Sequence, residues 1–219
     1  MTIFPQLVLN SLMAASIYAL VALGFNLIYG VTKFFNLAHG VMAAVGGYTV
    51  FFLAKTLEIN FLVSAAAGII LAGLTGYALD KIFYLPLRQR KASDKVLLIA
   101  SLGVFTLLQA GLAILFSSQF QTLAKNVGRP TIYEIFGGVA TRTQLIIFIS
   151  ALFVFVGLVL LLKKTLFGKS VRAISDDEEV AKIVGLNTNK IIGQVFFLGS
   201  SIAGLAGILI GLDTGLEPT

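Results

Sequence analysis

The chain has 219 residues, of which 58% are hydrophobic and 12% are charged, and its mean hydropathy is +0.96. A soluble domain carries about 25% charged residues, so this composition would leave such a domain without a polar surface and indicates a membrane protein. The net charge of +6 does not indicate nucleic-acid binding, because the basic residues fall in short loops between apolar runs, where they act as topology signals. The absence of cysteine excludes a disulfide framework and a thiolate metal site.

Six apolar runs free of charged residues are long enough to cross a bilayer, which needs about 20 apolar residues per helix. In chain order they are residues 7–31, 34–54, 59–79, 96–116, 145–162 and 191–212. We therefore predict an all-α polytopic membrane protein of about six transmembrane helices, organised as a single transmembrane domain over residues 1–219.

The loops between the runs predict an orientation. Residues 80–95 and 163–190 are rich in lysine and arginine, whereas residues 117–143, a segment about as long as 163–190, carry only Lys125, Arg129 and Arg142. Because basic loops stay in the cytoplasm, we expect 80–95 and 163–190 to be cytoplasmic and 117–143 to be external. The N-terminus is then outside and the turn at Lys33 is cytoplasmic.

The six runs differ in side-chain size. Small residues recur every four positions in two of them: Gly199, Ala203, Gly207 and Gly211 in the sixth, and Gly68, Ala72 and Gly76 in the third. Such stripes let two helices approach closely and are typical of helix packing inside a bundle. The fifth run, LIIFISALFVFVGLVLLL, is bulky throughout, which favours a helix that faces membrane lipid.

Polar residues interrupt the first two runs at GVTKFFNLAHG, residues 30–40. Asn36 and His39 are three positions apart, so they share a face if this segment is helical. Gly30 and Gly40 would permit a broken helix, which membranes tolerate where protein or a water cavity covers the backbone. Two readings remain open: the polar side chains line a transport path, or they hold neighbouring helices together by hydrogen bonds.

The segment 163–190 has the features of a short capped helix. Ser175 and Glu178 have capping-box spacing, and Gly185 suits a left-handed helix stop, so the pattern predicts a helix over residues 176–184. Val180, Ala181 and Val184 would form a small apolar patch on this helix.

Three stretches resemble the inner-membrane permeases of branched-chain amino acid ABC importers, a family that includes urea and amide permeases. They are YALVALGFNLIYGVTKFFNLAHG (18–40), LPLRQR with LIASLGVFTLLQ (85–109), and FGKSVRAISDDEEVAKIVGLNTNKI followed by FFLGSSIAGLAGILIG (167–211). Five residues of the third stretch match that family's usual pattern: Gly168, Arg172, Ala173, Ala181 and Gly185. Family members usually have two further transmembrane segments, so the resemblance implies that this chain lacks the last two helices or is a fragment.

The resemblance implies a transport subunit and not an enzyme. It implies import of branched-chain or other aliphatic amino acids across a bacterial or archaeal cytoplasmic membrane, with urea or short amides as the alternative cargo. Gly30, Asn36, His39 and Gly40 would then belong to the substrate path, and residues 163–190 would form a cytoplasmic coupling loop. The implied partners are a homologous second permease, two cytoplasmic ATPases and an external substrate-binding protein.

The residues themselves agree with an external source of energy. The chain has no G-x-x-x-x-G-K-[ST] motif, so we expect it to bind no cofactor, with ATP and Mg²⁺ on the ATPase subunit. We also expect no metal site. A secondary transporter is the rival transport class. It would usually place an acidic residue or an unwound ion site at the bilayer midplane, and the six apolar runs contain no acidic residue.

Overall fold

The computed structural model describes residues 3–116, 121, 123, 132–135 and 137–216. Nine α-helices and one β-hairpin are assigned within this part of the chain. The elements are α1 (Ile3–Thr32), α2 (His39–Val50), α3 (Phe61–Leu79), α4 (Leu85–Gln89), α5 (Asp94–Phe116), β1 (Ile132–Ile135), β2 (Gly138–Thr141), α6 (Arg142–Lys164), α7 (Leu166–Asp176), α8 (Glu178–Ile183) and α9 (Thr188–Asp213). Two π-helical segments join them: Phe51–Thr56 continues α2, and Asp80–Tyr84 links α3 to α4.

Five helical stretches are long and apolar enough to cross a membrane: Ile3–Thr32, Phe61–Gln89, Asp94–Phe116, Arg142–Lys164 and Thr188–Asp213. The prediction of six is therefore wrong by one within the described residues. The second predicted run, 34–54, starts as a helix only at His39, because Lys33 adopts a left-handed φ of 58° and ends α1. The expected interruption near residues 30–40 thus lies between Thr32 and His39.

The predicted loop over residues 80–95 is also wrong, since the helix continues through the second π-helical segment to Gln89. The physical reason is internal charge neutralisation. Asp80 is fully buried, its Oδ1 lies 2.5 Å from Nη2 of Arg88, and its Oδ2 lies 3.6 Å from Nζ of Lys81. Burying one carboxylate with two cations removes much of the cost of keeping charge at a helix end in the membrane.

Helix α9 lies at the centre of the bundle and packs most extensively against α3, α2 and α1. All four residues of its predicted stripe (Gly199, Ala203, Gly207 and Gly211) are buried. A Cβ atom added at Gly199 would lie 2.8 Å from the carbonyl oxygen of Gly24, and one added at Gly207 would overlap the backbone of Ala43. Only glycine lets the backbones come this close, which is the packing mode expected where lipid supplies no hydrophobic drive.

Helix α6 is the opposite case. Its buried residues are Ile147 and Ala151, while side chains such as Phe153 and Phe155 are exposed. Exposed apolar side chains along a long apolar helix suit contact with lipid tails.

The hairpin and α7 lie at opposite ends of α1. The side chain of Gln6 donates to the carbonyl oxygen of Val139 and accepts from its N–H, which ties the start of α1 to β2. Gly30, near the other end, lies beside Ser175 of α7. The 30 residues of α1 span about 45 Å, so the contact at Gln6 and the contact at Gly30 lie at opposite ends of the bundle. Most of the predicted external segment 117–143, including Lys125 and Arg129, lies outside the described residues.

Candidate functional site

The break between α1 and α2 is shaped by Asn36. Its side-chain oxygen accepts a hydrogen bond from the N–H of Ala38 at 3.1 Å, and its carbonyl oxygen accepts from the N–H of His39 at 3.3 Å. An asparagine that bonds the backbone two residues later offers the chain an alternative to helix. This turn follows the end of α1 at Thr32 and leads into the start of α2 at His39.

Two side chains from other helices hold the break in place. Ser101 of α5 accepts from the N–H of Leu37 at 3.1 Å, and its hydroxyl lies 3.4 Å from the carbonyl oxygen of Phe35. Tyr84 of the second π-helical segment donates from its hydroxyl to Oδ1 of Asn36 at 2.9 Å. Sequence reasoning missed both. The sequence contains a signal for Ser101, because its hydroxyl interrupts an apolar run. It contains none for Tyr84, which lies in the predicted loop 80–95.

A groove of about 450 Å³ lies beside the break. Residues of α1, the break, the start of α2 and Ile210 of α9 line it, and three of the predicted path residues are among them: Asn36, His39 and Gly40. No aspartate, glutamate, lysine or arginine is among its lining residues. A Cβ at Gly40 would have no atom within 4 Å, so the groove is open at that point. The fourth predicted path residue, Gly30, does not line the groove and faces Ser175 instead.

His39 forms part of the groove wall at a tight helix crossing. Its side chain is 2% exposed, and a Cβ at Gly24 would lie 3.0 Å from its ring carbon Cε1. The ring of Phe25 meets it edge-on at 6.0 Å. Within the described residues no side chain bonds its ring nitrogens, and no cluster of three or more potential metal ligands occurs. The ring nitrogens of His39 are buried, so the accessible wall of the groove is almost wholly apolar, without a paired acid and base among its lining residues.

The predicted coupling loop is two short helices, α7 and α8, with a sharp bend at Asp177. The predicted Ser175–Glu178 capping box is wrong, because Ser175 lies inside α7. Asp177 is the N-cap instead, and its carboxylate accepts from the N–H groups of Glu179 and Val180 at 2.8 and 3.0 Å. The extended backbone of Asp177 puts its carboxylate at the positive end of the new helix.

Helix α8 ends at a left-handed glycine, as predicted, but the helix is shorter than predicted. The helix covers Glu178–Ile183 where residues 176–184 were predicted, and Gly185 adopts a left-handed φ of 89° just after it. Gly185 is suited to this conformation because it has no Cβ.

The other predicted coupling residues mostly fasten these helices to the bundle. Gly168 packs against the carbonyl groups of Leu161 and Leu162, and the guanidinium of Arg172 donates to the carbonyl oxygen of Leu162. Ala173 is half-buried. These contacts fix α7 against the end of α6.

The prediction that Ala181 belongs to an exposed apolar patch is wrong. Ala181 is 2% exposed and joins the main core, because α8 packs against α7 and α9. The exposed apolar side chains of α8 and its C-cap are Val180, Ile183 and Val184, with Ile183 84% exposed. We call these three the α8 patch.

Long apolar helices, a close-packed central helix and a groove beside a broken helix define a polytopic membrane protein. A family profile described as branched-chain amino acid transport system / permease component matches residues 7–219. The chain therefore belongs to the branched-chain amino acid transport permease family. As a permease component, the chain is a transport subunit and is not itself an enzyme. It is a multi-pass membrane permease of the kind found in bacterial and archaeal transport systems.

Curated relatives agree with this assignment. The chain is 28% identical to the high-affinity branched-chain amino acid transport system permease protein BraD of Pseudomonas aeruginosa, over 97% of this chain and 72% of the relative. It is 27% identical to the LivH permease protein of Salmonella typhimurium, with the same coverage. A probable LivH permease of Methanocaldococcus jannaschii is 31% identical over 95% of this chain and 67% of the relative. No solved structure matches the chain.

Proposed function

We propose that this chain forms one side of the translocation path in an ATP-driven importer of branched-chain or other aliphatic amino acids. The observation that carries the proposal is the uncharged groove formed by Asn36, His39 and Gly40 at the broken helix. A zwitterion carries both charges, so a fixed cation or anion in the path would hold one end of it too tightly. A neutral polar side chain such as Asn36 in otherwise apolar walls lets it pass. Relatives named as branched-chain amino acid permeases support this cargo.

The shape of the groove supports a second permease subunit as a partner. The groove is open along the outside of α1, where Tyr18 is 73% exposed and Phe35 is 52% exposed. If this face met lipid, the polar side chain of Asn36 would line a groove that is open to the bilayer. A second, homologous permease packed on this face would close it.

We further propose that the end of the bundle with α7 and α8 faces the cytoplasm. Lys33 follows Gly30 there, and Lys81 donates to the carbonyl oxygen of Asn189 at the start of α9, so the basic segments 80–95 and 163–190 share this end. Lysine and arginine concentrate on the cytoplasmic side of membrane proteins. An external binding protein would then deliver cargo at the hairpin end.

The α8 patch is the proposed seat for a cytoplasmic ATPase, which would bind ATP and Mg²⁺ in place of this chain. Three exposed apolar side chains on a helix outside the apolar spans are unfavourable in water and suit burial in a partner's groove. Two firm caps, Asp177 and Gly185, keep this helix rigid enough to transmit motion by contact.

Uptake into vesicles that contain the full complex tests the cargo and the path together. We expect ATP-dependent accumulation of labelled leucine, with labelled urea as the competing cargo. Asn36→Leu and His39→Leu should lower uptake while the complex still assembles and still hydrolyses ATP. Uptake of urea but not leucine would contradict the cargo, and wild-type leucine uptake by both variants would contradict the path.

A further inference from the structure

Asn36 sits in the groove wall with its carboxamide held in one orientation. Oδ1 accepts from the N–H of Ala38 at 3.1 Å and from the hydroxyl of Tyr84 at 2.9 Å. A carboxamide oxygen has two lone pairs, so both are used. The Ala38 N–H can only donate, which fixes this atom as the oxygen and not the nitrogen.

The amino group of Asn36 is the polar atom left over. Among the described residues no hydrogen bond involves Nδ2, and Nδ2 is not among the fully buried atoms that lack a partner. Because Asn36 lines the groove, its free N–H donors are the polar groups that a solute would meet at this point.

Tyr84 is well placed to hold this arrangement. It is fully buried, and its ring lies between Phe34 at 5.1 Å and Phe196 at 5.5 Å. It ends the same π-helical segment that begins at Asp80, where the buried ion pair with Arg88 anchors the backbone. π-Helical segments often occur at functional sites, where they redirect side chains. Here the segment directs a hydroxyl at the break in another helix.

We propose that Tyr84 is a positioning residue that fixes the Asn36 amino group towards the groove, so that the path offers a hydrogen-bond donor to the carboxylate of the cargo. The inference rests on the proposed function for its cargo, but the orientation of Asn36 does not depend on transport. A neutral donor suits passage, because it holds a carboxylate by one hydrogen bond without the attraction of a fixed cation.

Hydrogen exchange tests the positioning without any transport. In Tyr84→Phe we expect the amides of residues 33–40 to exchange about threefold to tenfold faster, as for loss of one hydrogen bond, with α9 unchanged. Tyr77→Phe is the matched control, since Tyr77 lies on α3, is partly exposed, and contacts Lys81 through its ring, which phenylalanine keeps. Unchanged exchange at 33–40 in Tyr84→Phe would overturn the inference, whatever the cargo.

A double-mutant cycle on leucine uptake tests the role in transport. We expect Tyr84→Phe and Asn36→Ala each to raise KM about threefold to tenfold, as for one hydrogen bond, and the double variant to be no worse than Asn36→Ala alone. A purely structural Tyr84 would lower the amount of assembled complex and leave KM unchanged. Additive effects would show that Tyr84 acts independently of Asn36 and would overturn the inference.

A charged variant keeps the question decidable if Tyr84→Phe assembles poorly. Asn36→Asp retains an oxygen for Ala38 and Tyr84 but replaces the groove-facing donor with a carboxylate oxygen. We expect it to reduce leucine uptake more than Asn36→Ala does, because it repels the cargo's own carboxylate. Equal or better uptake than Asn36→Ala would contradict a donor facing the groove.

Discussion

Helices α9 and α6 have nearly the same length and are both strongly apolar, but they occupy different environments. In α9, 67% of the most apolar stretch is buried inside the bundle, against 11% in α6. The difference lies in side-chain size. Backbones meet at Gly199 and Gly207 of α9, whereas a Cβ at Gly157 of α6 would have no atom within 4 Å. In a membrane, small residues and not greater apolarity therefore mark the packed helix.

The same large side chain placed on both helices should show the largest difference between their environments. In Gly207→Leu the new side chain would overlap the backbone of Ala43 in α2, and a backbone cannot rotate away. We expect more than about 3 kcal/mol of destabilisation, the upper range for overpacking, and loss of assembled protein. The yield of folded protein from detergent-solubilised membranes measures this.

Gly157→Leu is the control for that variant. Its side chain would extend into open space on α6, so we expect a near wild-type yield. Equal loss from both variants would mean that α6 is packed as tightly as α9, and the comparison would fail.

The same contrast occurs on a smaller scale within α8. Ala181→Glu would force a carboxylate into the core, which costs several kcal/mol unless the group is paired, so we expect the end of the bundle to unfold locally. Ile183→Glu adds the same charge to an exposed position and should leave thermal stability unchanged.

Ile183→Glu also isolates the role of the α8 patch. It should weaken ATPase binding and uncouple ATP hydrolysis from uptake, because a charge would enter an apolar contact. Co-purification of the ATPase and substrate-stimulated hydrolysis measure this. Wild-type values for both would contradict the assignment of the α8 patch as the ATPase seat.

A methyl group gives a finer comparison between α9 and α6. Gly199→Ala would bring a Cβ within 2.8 Å of the Gly24 carbonyl oxygen and of Ile28, and we expect about 1–3 kcal/mol of destabilisation. Gly157→Ala should be neutral or stabilise by up to about 1 kcal/mol, since alanine is the better helix former. The thermal midpoint of Gly199→Ala should therefore lie below that of Gly157→Ala. Identical midpoints for the two variants would count against a close crossing at Gly199.

The smallest expected effect is at the lipid-facing side of α6. Phe155 is 51% exposed, so Phe155→Leu exchanges one lipid contact for another and should change stability by less than about 0.5 kcal/mol. A loss of assembly in this variant would indicate a protein partner on α6 instead of lipid.

The sequence predicts what depends on local pattern. The spacing of Gly199, Ala203, Gly207 and Gly211 identifies a packing face, and Gly185 identifies the end of α8, because both follow from the geometry of one helix. The choice between Ser175 and Asp177 as the N-cap is not local in this way. Both are good capping residues, and the packing of α7 on α6 through Gly168 and Arg172 carries α7 past Ser175.

Contacts between segments that are distant in the chain could not be predicted from the sequence. Tyr84 and Asn36 are 48 positions apart, and nothing near either residue indicates that they meet. The burial of Asp80 likewise depends on Arg88, two helical turns further on, so a run of charges read as a loop is in fact helix. The burial of Ala181 could not be predicted, because the direction in which a short helix packs depends on the helices beneath it.

A single introduced cysteine tests whether cargo passes along the groove beside the broken helix. The chain has no cysteine, so Gly40→Cys gives one reporter thiol in the groove, where its side chain has open space. Gly103→Cys on α5 is the matched control, exposed and equally open but away from the groove. We predict that leucine transport slows labelling of the thiol at position 40 by a small maleimide and leaves labelling at position 103 unchanged. Equal labelling rates at position 40 with and without transported leucine would contradict passage of cargo along this groove.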